Sequence, residues 1–167
     1  MCYALAMKYI KCAALLLSLV TSLAAAPNYS AHLAKFEGYS DKVYLDSRGI
    51  KTVGYGTNIE ARGLHYAVGA RINSETLNRF TREDITKYES ICRKYITNFD
   101  SLPDAAKEIS FGLAYNVGQS GFIKFKRFRT NISARNFREA KNELSQSVWA
   151  KQVKGRANSY IATLNNT

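Results

Sequence analysis

Residues 43–56 break the periodicity of everything around them, and that break limits the folds open to the chain. Just before them, residues 29–36 (YSAHLAKF) bring Leu33 and Phe36 to one side of a helix. Within them, Val43, Tyr44, Ile50, Thr52, Val53 and Tyr55 are β-formers around a turn signal, Asp46-Ser47-Arg48-Gly49. This spells a small hairpin or three-stranded sheet. Residues 57–71 read as loop. Helical spacing then returns and stays. Asn73-Ser74 can cap a helix that runs to about Ile96, with Leu77, Phe80, Ile85, Tyr88 and Ile91/Cys92 on its apolar side. After a break at 98–103, Pro103 suits the first helical position, and 104–117 is a strongly apolar helix stopped by Gly118 and Gly121. Phe122, Phe125 and Phe128 mark a short helix or turn. Further helices are expected over 137–148 and 155–164. An α+β fold follows: a small β-containing N-terminal lobe on a larger α-helical lobe. A chain of 167 residues suits one such domain.

The first 26 residues stand apart. Lys8 and Lys11 precede an apolar run over 12–20, and Ala24-Ala25-Ala26 follows. A basic start, a short apolar stretch and small residues at the end make a secretory signal peptide. The run is short for a membrane span, which needs about 20 apolar residues. Pro27 disfavours a cut directly after Ala26, so cleavage is expected at Ala25 or nearby. The alternative is a retained, releasable signal anchor. The chain thus divides into 1–26 and 27–167, with secretion or a periplasmic location after cleavage and membrane contact only through the leader.

The formal net charge is +11. Of the 24 basic residues, only Lys8 and Lys11 lie in the leader, so 22 basic and 13 acidic residues leave the remainder at +9. Such a charge favours polyanions. There is no zinc pattern, no RGG tract and no single basic block, so specific nucleic-acid recognition has no support. Cys2 and Cys12 fall in the leader, leaving Cys92, which excludes a disulfide framework in a cleaved monomer. Cys92 sits in a helical pattern and reads as a small buried apolar residue. With the leader retained, Cys12 and Cys92 could form a redox switch. His32 and His65 have no third ligand at metal-binding spacing, so no metal and no cofactor is expected.

Eight residues separate Glu37 from Asp46, and five separate Asp46 from Thr52. Two carboxylates flanking a cleft are the minimum equipment for glycoside hydrolysis. Glu37 follows an apolar helix, where partial burial favours the protonated form that a general acid needs. Asp46 lies in a polar turn that suits an ionised base. Thr52 could hold a water by its hydroxyl, or be an ordinary strand threonine.

This Glu-x8-Asp-x5-Thr pattern resembles the signature of the T-even-phage-type lysozymes, glycoside hydrolase family 24. Phe36-Glu37-Gly38, Val43-Tyr44 and Thr52-Val53-Gly54-Tyr55-Gly56 fit it. So do Ile72-Asn73-Ser74-Glu75, Tyr115-Asn116-Val117-Gly118 with Gly121, and Trp149-x-x-Gln152-x-x-x-Arg156. Four blocks in order span the chain from about Leu33 to Tyr160.

The resemblance implies a monomeric peptidoglycan muramidase, an inverting enzyme acting in wall lysis or antibacterial defence. Glu37, Asp46 and Thr52 would be catalytic. Arg156, with Gln152 fixing its register, would support Glu37 from the far lobe. Asn58, Tyr115 and Asn116 would line the sugar cleft, although core packing for Tyr115 and a helix-end cap for Asn116 are equal alternatives. Three positions depart from the family: Phe128 and Glu143 replace small polar sugar contacts, and Thr57 stands where a histidine that supports folding is frequent. Rival readings are a chitinase or lytic transglycosylase on the same scaffold, and a non-catalytic cationic antibacterial or wall-binding protein.

Overall fold

The computed structural model describes residues 27–167. The leader proposed above lies outside the described residues. Helix α1 (Tyr29–Phe36) is capped by Asn28, whose side chain accepts from the Ala31 N–H at 2.9 Å. Three antiparallel strands follow in sequence order: β1 (Ser40–Leu45), β2 (Lys51–Gly54) and β3 (Thr57–Asn58). The register sets Tyr44 opposite Thr52 and Thr52 opposite Asn58. A short 3-10 turn over Glu60–Arg62 leads towards α2 (Ser74–Tyr95), whose cap is Asn73. The segment expected to be loop therefore contains a strand and a turn.

The helical body consists of α3 (Asp104–Lys124), α4 (Lys126–Ser133), α5 (Phe137–Ser145), α6 (Val148–Gln152) and α7 (Lys154–Asn165). Two boundaries differ from the sequence reading. Gly118 does interrupt α3, with φ 68° and ψ 171°, but the helix resumes beyond it to Lys124. The helix expected to reach Val148 stops at Ser145, because the Ser147 hydroxyl accepts from Ala150 N–H and starts α6.

Two apolar cores result. Val43, Val53, Ile59, Ile72, Leu77 and Phe80 fill the small lobe. The larger core gathers Leu33, Phe99, Phe111, Phe122, Ile132, Trp149 and Tyr160, among others. Helix α2 serves both: Leu77 and Phe80 near its start face the sheet, and Ile91 and Cys92 near its end join the helical body. Its 22 residues span about 33 Å at 1.5 Å per residue. This is the α+β, two-lobed arrangement that the periodicity predicts. Arg129 locks α2 to α3 by donating to the carbonyls of Tyr95, Phe122 and Ile123 at 2.9, 3.2 and 2.8 Å. These carbonyls lie at helix ends, where a cation is favoured. No described helix is long and apolar enough to cross a membrane.

Thr57 has a structural partner of its own. Its hydroxyl donates to Asp84 Oδ2 at 2.7 Å, while Arg62 Nη2 donates to Asp84 Oδ1 at 2.5 Å. Arg62 also pairs with Glu83 and lies over the Phe80 ring. This cluster, built on the buried Thr57 and Asp84, fastens β3 and the following turn onto α2.

His32 lies in the larger core. Its Nε2 and the Tyr160 hydroxyl share a hydrogen bond of 2.7 Å. The packing is so close that a Cβ on Gly112 would stand 2.1 Å from both atoms. Burial, with Arg156 and Lys35 adding to it, pushes the His32 pKa down from 6.5 to about 4. The folded protein therefore holds a neutral imidazole where the unfolded chain takes up a proton. This stability is complete above pH 6.5 and is lost as pH falls towards 4, by on the order of 3 kcal/mol. Urea unfolding at pH 7 and pH 4.5 should show a steeper acid loss for the wild type than for His32→Gln. Equal slopes would remove His32 as the cause.

Candidate active site

The three residues of the Glu-Asp-Thr pattern occupy a helix end, a turn and a strand. Glu37 terminates α1: its N–H donates to Leu33 O at 2.9 Å, and Gly38 turns the chain away with φ 68°. Its side chain is only 14% exposed, and Oε1 accepts from Arg156 Nη1 at 2.6 Å. Arg156 stands in the first turn of α7, is 12% exposed itself, and sends Nη2 to Phe36 O at 2.5 Å. Oε2 of Glu37 has no hydrogen-bond partner among the described residues.

Asp46 opens the β1–β2 connection. The Gly49 N–H donates to its carbonyl at 2.9 Å, closing a tight turn with Gly49 at φ 76°. The side chain is enclosed by its own turn. Oδ1 accepts from the N–H groups of Arg48 and Ile50 at 2.8 and 2.9 Å. Oδ2 accepts from Arg48 Nε and Nη2 at 3.2 and 3.0 Å. The Ile50 N–H chiefly, and then the Arg48 N–H and guanidinium, hold the carboxyl below its ordinary pKa against the opposing effect of burial. Asp46 is thus kept ionised by donors that its own turn supplies. Both carboxylates act on one phenol: burial raises the Tyr44 pKa, and the negative fields of Asp46 and then Glu37 raise it further.

Thr52 faces Tyr44 across β1–β2 and is 4% exposed. Its hydroxyl donates to Ile50 O at 3.0 Å. The hydrogen is therefore spent, and the oxygen is left as an acceptor.

A groove of about 500 Å³ runs beside this site, lined from the small lobe by Arg48 and Asn58, from α2 by Asp84 and Lys87, and from α3 by Tyr115 and Asn116. Glu37, Asp46 and Thr52 do not line it; Arg48, paired with Asp46, connects the two. The three expected sugar contacts all reach the groove, but their polar groups are partly committed. Asn58 Oδ1 accepts from the Ala61 N–H at 2.9 Å. The Tyr115 hydroxyl donates to Tyr55 O at 2.8 Å, and its ring packs on Tyr88 and Phe111. Asn116 Oδ1 accepts from Trp149 Nε1 at 2.7 Å, so this asparagine holds the buried Trp149 rather than capping a helix end.

Gln152 is exposed at the end of α6, and its side chain makes no hydrogen bond among the described residues. Phe128 is buried in the helical core, and Glu143 pairs with Arg127 at 2.7 Å. Neither departure from the family pattern is a free sugar contact. Cys92 is buried, and burial pushes its thiol pKa up, which makes it unreactive; Cys12 lies outside the described residues. Among the described residues, no group of three or more His, Cys, Asp or Glu could hold a metal ion.

The Arg48 donors to Asp46 belong to the polar turn that the sequence marks as keeping this carboxylate ionised. The Thr57–Asp84–Arg62 cluster went unanticipated: it joins positions 22 and 27 residues apart through a helix and a loop, and leaves no local signal.

A family model described as phage lysozyme matches residues 34–163. Comparison with curated proteins gives no significant match. The chain belongs to the phage lysozyme family and is a glycoside hydrolase that acts on peptidoglycan.

The pair between Glu37 and Arg156 is largely shielded from solvent on both sides, so it should couple more strongly than a surface ion pair. A double-mutant cycle of Glu37→Ala and Arg156→Ala, read by urea unfolding, should give about 2 kcal/mol of coupling. A coupling near zero would mean that this pair does not fix the end of α1 to α7, two helices that share the larger core.

Proposed function

We propose that this lysozyme hydrolyses the β-1,4 bond between N-acetylmuramic acid and N-acetylglucosamine with inversion, and that Glu37, Asp46 and Thr52 perform the reaction. The observation that carries this reading is the contrast between the two carboxyl groups. Asp46 receives four donors and is held ionised. Glu37 is nearly buried, with one oxygen held by Arg156 and the other without a partner among the described residues. Asp46, enclosed by donors, suits the base, and the open oxygen of Glu37 suits the group that meets the leaving oxygen.

In this reading Glu37 Oε2 gives its proton to the leaving glycosidic oxygen. Arg156 holds the other oxygen and so fixes the direction of transfer. On the opposite face of the sugar, a water donates one hydrogen to Asp46 and the other to Thr52 Oγ1. Because the Thr52 hydrogen is committed to Ile50 O, the hydroxyl accepts from that water and leaves its lone pair for the anomeric carbon. No cofactor is required, and a single chain carries the whole constellation.

Peptidoglycan lies outside the cytoplasmic membrane, which agrees with a cleaved leader or a releasable anchor and a secreted or periplasmic enzyme. Wall lysis or antibacterial defence is the corresponding role. The positive charge would raise local concentration at an acidic wall and speed encounter at low salt. The same charge supports the second reading, in which a cationic protein acts without catalysis.

Glu37→Gln separates the two readings. The amide keeps the shape and can still accept from Arg156, but cannot give up a proton. Turbidity loss of purified peptidoglycan should fall by at least about 100-fold, the scale of general acid catalysis, with folding unchanged by circular dichroism. A variant that still clears the wall at the native rate would exclude Glu37 as the acid.

A further inference from the structure

The groove beside the candidate site carries a positive charge with no ion-pair partner among the described residues. Its acidic lining residues are already neutralised: Asp84 is held by Arg62, and Glu83 by Arg62 and Arg79. Arg48 has Asp46 as its partner, yet its side chain is 74% exposed and reaches the groove wall. It also bears on Tyr88 of α2, whose phenol pKa burial raises most, the charges of Asp84 and Glu37 raise further, and Arg48 lowers. Lys87 enters the same groove from α2, is exposed, and makes no ion pair among the described residues. Its ammonium lies 5.3 Å from the centre of the neighbouring Tyr88 ring.

We propose that Lys87 and Arg48 together form a subsite for a substrate carboxylate, and that filling it draws Arg48 away from Asp46. The ligand class is the carboxylate that peptidoglycan carries on its peptide stems and that a plain N-acetylhexosamine polymer lacks. A guanidinium matches a carboxylate in a two-pronged fashion, and an ammonium adds a point charge. The exchange is inexpensive, because the Arg48 side of the pair is exposed and screened by water. Its consequence lies at Oδ2 of Asp46. That oxygen receives both Arg48 donors in the free protein, and Oδ1 is filled by two backbone N–H groups. Departure of the guanidinium opens Oδ2 to a water. Arg48 is thus a positioning residue that ties recognition of an acidic substrate to freeing the base, and Lys87 is a specificity residue. This inference rests on the assignment of Asp46 made above.

The test compares intact peptidoglycan with the same material after its carboxyl groups have been converted to amides. The wild type should lose about 10-fold in kcat/KM on amidation, the value of one charge-assisted contact. Lys87→Gln with Arg48→Gln should show a ratio near 1, and Lys87→Arg should restore sensitivity. Arg48→Gln alone should also move the acid limb of the kcat/KM profile to higher pH, because Asp46 loses its guanidinium; a purely structural role would leave that limb in place. A double variant as sensitive to amidation as the wild type would overturn the subsite, as would a wild type indifferent to amidation. The amidation ratio does not depend on which residue is the base. Loss of Asp46 from its role would appear instead as full turnover by Asp46→Asn on both substrates.

Discussion

The reach of Arg156 to Glu37 and to the Phe36 carbonyl is the contact on which the rest of the site depends. It joins residues 119 and 120 positions apart, and both side chains of the ion pair are nearly removed from water. Helix α1 is only eight residues long, too short to hold a conformation alone. Its end is fixed because α7 grips it and because Leu33 and Tyr29 are buried in the helical core. Glu37 is therefore oriented by the helical lobe, whereas Asp46 and Thr52 are oriented by the sheet. The site is assembled from two lobes, and α2, which contributes to both cores, sets their spacing.

This division explains how differently the two carboxyl groups are held. Asp46 needs nothing beyond its own turn, because the donors to both oxygens come from Arg48 and Ile50. Glu37 receives nothing from its neighbours in sequence and takes its partner from the far end of the chain. A local, solvent-facing turn keeps a carboxylate charged at small cost. A long-range, nearly buried contact fixes direction, but couples Glu37 to the integrity of the whole fold.

Much of this was legible in the sequence for the same reason. The change of period at residues 43–56 marked the sheet. The Asp46 turn, the helix ending at Glu37 and the cap at Asn73 were local features that one stretch of chain dictates. The split after Ser145 was missed because a serine within an amphipathic pattern continues a helix as readily as it caps a new one. The resumption of α3 beyond Gly118 was missed because the buried Phe122 carries the helix on. The Thr57–Asp84–Arg62 cluster could not be read at all, since its members meet only after β3 and the following turn fold onto α2. Tyr115 and Asn116 show the limit most clearly. Both reach the groove, but what their polar atoms bond, Tyr55 O and Trp149 Nε1, is decided by packing between segments 33 to 60 residues apart.

The central claim is that a water held by Asp46 and Thr52 enters the bond that Glu37 opens. Digestion of purified peptidoglycan in isotopically labelled water, with the new glycan ends read by mass spectrometry, tests it most directly. The account predicts labelled oxygen at every new reducing end. Unlabelled anhydro-muramic ends would contradict it, because they form without any attacking water.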